Sequence, residues 1–174
     1  RGFSISQKSP KSCKKKKSTM HPGPYRAASK AGAFVTMLAF YDIYTKHGVL
    51  SRDPQYESIV VRGTVGGYAI KVHCTLKRDS GEDFVGFWLG LCDGEWNHYF
   101  EWPFSKKVTL IVTHVSNREK DIRLPVTPCG HLMTKKPAHG DCNIGMGSKY
   151  VNWKHIERNG FIVNKTLYMN YEFV

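Results

Sequence analysis

The sequence lacks the usual features of a membrane-spanning chain and of common enzyme families. No run approaches the roughly 18 consecutive apolar residues that a membrane-spanning helix needs. The Gly-x-Ser-x-Gly, His-Glu-x-x-His and Gly-Lys-Ser/Thr motifs are all absent, so nothing points to a serine hydrolase, a zinc protease or a phosphate-binding loop. The apolar run Ala33–Tyr41 follows basic residues as in a signal peptide, but no Ala-x-Ala cleavage motif follows it. We therefore expect a non-enzymatic protein without membrane insertion.

Acidic residues are missing from the first thirty positions. These positions hold nine Lys and Arg residues, whereas residues 31–174 hold 17 basic and 14 acidic residues. The formal net charge of +12 therefore belongs mostly to the N-terminal part. A nucleic-acid-binding domain should carry a basic patch on its own folded surface. We do not expect such a partner for the domain, and attachment of nucleic acid through the basic N-terminal part stays an alternative.

Apolar residues are also scarce at the N-terminus, where Lys, Ser and Pro dominate. A segment of this composition cannot bury enough surface to order itself. We predict a disordered basic arm or linker over residues 1–31 and one folded domain over residues 32–174. The run Lys14–Lys17 is either a nuclear-localisation or phosphate-attracting patch or part of a solvated linker.

Long amphipathic helices and heptad repeats are absent from the domain. Tyr68–Leu76 instead alternates apolar and polar residues, as a half-buried strand does. Glycines flank Trp88 on one face of the next strand, which indicates close approach by a large group. The predicted strands are Phe34–Tyr41, Tyr56–Arg62, Tyr68–Leu76, Phe84–Cys92, Lys107–Val115, Ile122–Leu124 and Thr166–Val174, with one helical turn at Tyr150–Ile156. Short strands separated by turn residues predict an all-β antiparallel β-sandwich.

The five cysteines show no disulfide framework, since their number is odd and their spacing irregular. Cys74 and Cys92 lie in apolar alternations, where a thiol is usually a small buried hydrophobe. This pattern favours a reducing compartment, and the Asn164-Lys165-Thr166 sequon has no evident secretory context. The one candidate metal set comprises Cys129, His131, His139 and Cys142. Its spacing does not fit zinc ribbons, so we expect no metal and no cofactor.

Four motifs occur in a recognisable order. Gly66–Leu76 is a Gly-Gly-Tyr strand, Phe100–Leu110 contains Trp-Pro-Phe followed by Lys-Val-Thr, Asn117-Arg118-Glu119 is a turn, and Asn143–Gly147 reads Asn-Ile-Gly-Met-Gly. In this order they resemble the signature stretches of TRAF-type MATH domains, the C-terminal domains of TNF-receptor-associated factors. The resemblance covers residues 32–174.

The resemblance implies an eight-stranded antiparallel β-sandwich that serves a cytoplasmic adaptor. Such domains bind short peptides from receptor tails or signalling proteins as an added strand, and couple them to NF-κB and ubiquitin signalling. Family members form homotrimers through a coiled coil absent from this chain, and any ubiquitin-ligase activity would lie in missing N-terminal modules. The implied structural motif residues are Trp102, Pro103 and Phe104 at a sandwich corner, with both rings in the core, and Asn117, Arg118 and Glu119 in a turn.

The resemblance also implies a peptide-binding surface, from which this chain departs in several side chains. Where the family has an Arg, a Tyr and an Asp that hold the peptide, this chain has His73, Thr75 and Asp79. The family's serine loop falls near Met133, and Met146 replaces the serine before Gly147. The implied peptide-binding residues are His73, Thr75, Asp79, Trp88, Met133, Met146 and Gly147.

Two interpretations of this surface stay open. In the first, the edge strand still binds a peptide through main-chain hydrogen bonds, and Met133 and Met146 favour an apolar peptide. His73 would then make binding pH-sensitive, because imidazole gains its charge near pH 6.5 unless its surroundings shift the pKa. In the second, the groove has degenerated and the domain serves self-association without a peptide ligand. We prefer the first interpretation.

Overall fold

The alternating segments form two antiparallel sheets that pack face to face. The computed structural model describes residues 23–50 and 57–174. In chain order the strands are β1 (Phe34–Phe40), β2 (Glu57–Val65), β3 (Tyr68–Asp79), β4 (Glu82–Leu91), β5 (Val108–Val112), β6 (Ile122–Val126), β7 (Met146–Gly147), β8 (Val151–Asn152), β9 (Ile162–Val163) and β10 (Thr166–Phe173). The first sheet has the order β1-β10-β5-β6, with β9 also paired to β10. The second has the order β2-β3-β4-β7, with β8 also paired to β4.

The predicted β-sandwich is confirmed, but its strands are divided more finely than expected. Each of the seven strands expected from alternation is present with five or more residues. The described residues also contain β7, β8 and β9, which have two residues each. Runs this short show no alternation, because one residue per face makes no pattern. The described part of the chain therefore has ten strands rather than eight.

The core lies between the inner faces of the two sheets. On β3 the alternation places Tyr68, Ile70, Val72, Cys74 and Leu76 inside, and all five are buried. Opposite them, alternate residues of β10 and β5 complete the same apolar cluster. Full burial of a large apolar side chain contributes about 1.5–3 kcal/mol relative to its exposure, so this two-residue period is the main stabilising feature of the sandwich.

Among the described residues, three short α-helices connect the strands: α1 (Ile43–Leu50), α2 (His131–Thr134) and α3 (Trp153–Arg158). The predicted turn at Tyr150–Ile156 corresponds to α3. The sequence analysis did not predict α1, whose position depends on tertiary contacts. The His47 ring stacks on Trp153 with 4.1 Å between ring centroids, and its Nε2 lies 2.8 Å from the Asp83 carboxylate. Within the described ranges, no helix is long and apolar enough to cross a membrane.

The Trp-Pro-Phe segment lies between a 3-10 helix at Glu95–Tyr99 and β5 at one corner of the sandwich. Phe104 is buried, with its ring centroid 5.1 Å from that of Tyr68 and 5.2 Å from that of Phe173. Trp102 is half-buried, and its Nε1 donates a hydrogen bond of 3.0 Å to the Asn97 carbonyl. Pro103 is exposed. The motif therefore gives one ring fully to the core and places the other at the core edge.

The Asn-Arg-Glu motif forms a single 3-10 turn over Arg118–Lys120. Asn117 precedes this turn, and its Oδ1 accepts a hydrogen bond of 2.9 Å from the Glu119 backbone N–H. A short polar side chain at this position satisfies a donor that the turn itself leaves unpaired. Arg118 and Glu119 are exposed, so this motif organises the chain direction between β5 and β6.

An N-terminal strap (residues 23–31) lies on the outer face of β10. Asn170 Nδ2 donates to the Pro24 carbonyl at 2.6 Å, and the Arg26 N–H donates to Asn170 Oδ1 at 3.2 Å. The Ser29 N–H donates to the carboxylate of Glu172. Asn170 and Glu172 are both buried, so the strap supplies the hydrogen-bond partners that buried polar groups require.

The strap residues, 23–31, were predicted to belong to a disordered arm or linker, but the structure places them against β10. Composition indicated too few apolar residues for order, but the strap is held by polar contacts with β10 rather than by apolar burial. The rest of the predicted arm, residues 1–22, lies outside the described residues.

Candidate functional site

One row of side chains crosses the outer face of the second sheet. The strand register pairs Val60 with His73, His73 with Trp88, and Trp88 with Gly147. Residues that pair directly across antiparallel strands project from the same face of the sheet. Val60 is 49% and Trp88 is 38% exposed, and His73 is half-buried. The structure therefore brings together three predicted site residues, His73, Trp88 and Gly147, and adds Val60.

Trp88 lies flat against the edge of the sheet because residue 147 is a glycine. A Cβ atom at Gly147 would lie 2.7 Å from the Trp88 ring, so any other residue at this position would displace the ring. In the adjoining row, a Cβ atom at Gly86 would lie 2.6 Å from the Tyr150 ring. The close approach indicated by the glycines that flank Trp88 is thus made by the same chain. The Tyr150 ring approaches Gly86, and the Asn143 carbonyl approaches Gly90. The Trp88 and Tyr150 rings form a platform on this face.

A lysine completes the platform. Lys77 Nζ lies 4.4 Å from the centroid of the Tyr150 ring and 5.9 Å from that of Phe84. An ammonium group at this distance is attracted by the negative face of an aromatic ring. The outer face of β3 and β4 therefore presents aromatic surface beside positive charge.

Thr75 and Asp79 lie at different distances from the row. Thr75 is half-buried and pairs with Ser58 and Gly86 in the adjoining row. Asp79 is six positions beyond His73 at the end of β3, about 20 Å away at the rise of an extended strand. Its carboxylate lies 3.5 Å from Lys77 Nζ. The structure does not bring Asp79 to the row.

Met146 does not belong to the exposed surface. It is fully buried and is part of the core. Neighbouring residues of a strand point to opposite faces, so Met146 points inward where Gly147 lies on the outer face. The expectation that Met146 contacts a peptide is therefore wrong.

Met133 has a supporting position beside the edge. It is half-buried and packs against the core, and its Sδ accepts a hydrogen bond of 3.2 Å from the Cys129 N–H. The Met133 carbonyl accepts a hydrogen bond from Asn143 Nδ2 at 3.3 Å. Met133 thus holds the loop that leads to β7, and the sequence analysis had placed it in the groove itself.

A small pocket of about 200 Å³ opens beside the loop before β7. Its lining residues are Leu132, Lys135, Ala138, Asp141, Cys142, Asn143 and Ile144. Leu132 and Ile144 are exposed. The sequence analysis assigned neither residue to the binding surface, because single apolar residues in a loop carry no periodic signal. The edge of the sheet thus has a pocket with both polar and apolar lining residues near its start and the Trp88 ring beside Gly147.

The family model of the TRAF/meprin MATH domain matches residues 56–170, which include the whole row and the Trp-Pro-Phe motif. The chain belongs to this family of protein-interaction domains. The solved structure of Notothenia coriiceps TRAF5 is similar to this MATH domain with a TM-score of 0.65 and 18% sequence identity, over 80% of this chain and 72% of that chain. At this identity the likeness shows the fold alone. No curated protein matches the chain in sequence.

A disulfide joins Cys92, directly after β4, to Cys142, in the loop before β7 of this MATH domain. The expectation of reduced, unpaired cysteines is therefore wrong for these two. Fifty residues separate them in sequence, and only the pairing of the two segments brings them together. Burial raises the pKa of the free Cys74 thiol, and Cys129 is free and exposed.

The disulfide also bears on the candidate metal set. Cys142 is bonded to Cys92, so its sulfur is not available as a thiolate ligand beside Cys129, His131 and His139. His139 instead lies with Nδ1 3.0 Å from the Asp93 carboxylate. Within residues 23–50 and 57–174, no group of three or more His, Cys, Asp and Glu side chains is arranged to hold a metal ion.

His73 should gain its proton at a lower pH than an ordinary histidine. Partial burial, and then the nearby charge of Lys71, lower the pKa of the His73 imidazole. We expect an NMR titration to give a midpoint below about 6.5, and Lys71→Ala to raise it. The unfolded chain binds this proton more readily, so the contribution of His73 to stability should decrease as the pH falls below about 6.5. A midpoint at or above the ordinary value would contradict this prediction.

Proposed function

We propose that this MATH domain binds an extended peptide from a partner protein as an added strand along β7. Among the described strands β7 is the terminal one of its sheet, so one side of its backbone has no strand neighbour. A free strand edge can bind a peptide backbone whatever side chains the peptide carries. The observation that carries the proposal is the exposed Trp88 ring lying against Gly147, directly beside this edge.

The proposed peptide carries apolar anchor residues. Alternate residues of a bound strand point to the same face, so one anchor would contact Trp88 and another would reach the pocket lined by Leu132 and Ile144. Exposed aromatic residues are frequent energetic centres of binding surfaces. Arg62 and Lys71 pair in the row next to His73, and their charges favour an acidic residue beside the apolar anchors.

The wider role proposed for the domain follows from the family resemblance. The domain would recruit receptor tails or signalling proteins within TNF-receptor-type signalling through NF-κB and ubiquitin, and its trimerisation would depend on a coiled coil outside this chain. A cytoplasmic location belongs to the same proposal. The Cys92–Cys142 disulfide weighs against that location, because disulfides are rare in the cytosol.

Replacing Trp88 by Ala should weaken peptide binding about tenfold or more, equivalent to about 1.4 kcal/mol. The probe is a peptide selected on the wild-type chain from a display library of random sequences, and its affinity is measured by calorimetry. Trp96→Ala is the matched control, since Trp96 is also an exposed tryptophan but lies outside the row. Equal affinity of the wild-type and Trp88→Ala chains would contradict the proposed site.

The position of the peptide can be tested separately from its affinity. Binding should shift the backbone NMR signals of Gly147 and Trp88, and leave those of β6 at the edge of the other sheet unchanged. Failure to select any peptide, together with a stable trimer of this chain in sedimentation, would favour the self-association alternative. Nucleic-acid attachment would be lost on deletion of residues 1–22, which leaves the strap in place, and would depend steeply on salt.

A further inference from the structure

The turn between β9 and β10 presents Asn164 on the surface. Asn164 and Lys165 both have positive φ, 49° and 60°, and both are exposed. Thr166 begins β10, and its hydroxyl donates a hydrogen bond of 3.2 Å to the Asn164 carbonyl. Within the described part of the chain, the Asn164 side-chain amide has no hydrogen-bond partner. A large group could therefore be attached to this amide without displacing a contact of the fold.

Asn164-Lys165-Thr166 is a glycosylation sequon, which has meaning only in a secretory compartment. The Cys92–Cys142 disulfide supplies that context. Disulfides form and persist in the endoplasmic reticulum and outside the cell, the compartments in which N-glycosylated proteins are made and reside. The two features belong to different sheets, since Asn164 adjoins the first sheet and the disulfide adjoins the second. They are therefore independent observations that point to the same environment.

We propose that this domain folds in the secretory pathway and carries an N-linked oligosaccharide on Asn164. The proposal goes beyond peptide binding and does not depend on it. It replaces the cytoplasmic location and the receptor-tail partners of the wider role, and it leaves strand addition along β7 unchanged. The glycan would stand on the β9–β10 turn, whereas the proposed peptide edge is β7 of the other sheet. One domain can therefore carry both.

The two covalent steps need partners of stated chemistry. Asn164 Nδ2 forms a bond to the anomeric carbon of an oligosaccharide carried on a lipid diphosphate. The bond from that carbon to the diphosphate oxygen breaks, the lipid diphosphate leaves, and the amide loses one proton. Cys92 and Cys142 lose two protons and two electrons to the disulfide of a thiol oxidoreductase, which becomes a dithiol.

Mass spectrometry of the protein from its native cells tests the proposal directly. The unreduced protein is digested, and the peptides are treated with peptide N-glycosidase in heavy-oxygen water. Asn164 should appear as heavy-oxygen aspartate, and the peptides that contain Cys92 and Cys142 should be linked. Unmodified Asn164, or both cysteines as free thiols, would overturn the proposal.

A second experiment tests the acceptor site in cultured eukaryotic cells, with the full chain directed to the endoplasmic reticulum by an added leader. The wild-type chain and Thr166→Ser, which keeps the sequon, should lose mass on glycosidase treatment. Thr166→Val, which fills the same buried space, and Asn164→Asp should show no such loss. Protease resistance checks that each variant is folded. A folded, secreted wild-type chain without glycosidase-sensitive mass would also overturn the proposal.

Discussion

Replacing Phe104 by Ala should lower the free energy of unfolding by about 3–5 kcal/mol. Phe104 is 4% exposed, and its ring lies edge-on to those of Tyr68 and Phe173. The substitution removes the burial of a whole aromatic ring and leaves a cavity that the two sheets can close only in part. Loss of the two edge-to-face contacts adds to this effect, since such pairs contribute about 0.5–1.5 kcal/mol each beyond their buried area.

The measurement is urea unfolding followed by the fluorescence and the far-ultraviolet circular dichroism of the chain. Tyr99→Ala provides the matched control, because Tyr99 belongs to the same aromatic segment but is 78% exposed. Its effect should stay within about 0.5 kcal/mol. If the two variants lost similar amounts of unfolding free energy, the burial of Phe104 would not be what stabilises this corner of the core.

Replacing Asp121 by Ala should lower the free energy of unfolding by about 3 kcal/mol, because the change leaves a nearly buried guanidinium without its carboxylate. Asp121 Oδ1 accepts hydrogen bonds from Arg26 Nη2 at 2.8 Å and from the His114 N–H at 2.9 Å, and Oδ2 accepts from Arg26 Nε. The two side chains are only 9% and 8% exposed. The ion pair therefore connects the N-terminal strap to the turn before β6.

A double-mutant cycle isolates this ion pair. Arg26→Ala should also destabilise the chain, and the double variant should lose less than the sum of the two single changes. Arg118→Ala is the control, because Arg118 is exposed and has no ion pair with the described residues. Additive losses would show that Arg26 and Asp121 act independently. Faster proteolysis of the strap in Asp121→Ala would show directly that this segment has been released.

The Trp-Pro-Phe segment shows that a sequence motif can identify a fold without specifying which of its rings are buried. The segment has four aromatic rings within six residues, Tyr99–Phe104, and the family resemblance implied that the rings of Trp102 and Phe104 lie in the core. In the structure Phe104 is buried and Trp102 is half-buried, while Tyr99 is exposed. One short stretch thus divides its rings between core and surface, because the chain turns a corner within it.

The candidate site was predictable in part. His73, Trp88 and Gly147 follow from the motif order, and the strand register places them in one row. Met146 was misplaced because a motif gives position along the chain but not the face of a two-residue strand. Asp79 was misplaced in another way, since its carboxylate lies near Lys77 at the far end of β3.

The sequence by itself determined the sandwich, because alternation with a period of two specifies which face of each strand is buried. It also indicated the family, through the order of its motifs. The tertiary structure decided the features that depend on distant segments meeting. These are the Cys92–Cys142 disulfide, the binding of the strap to Asn170 and Asp121, and the Trp88 ring on Gly147. A local pattern carries no information about which remote residue will lie opposite. Only the packing of the two sheets supplies it.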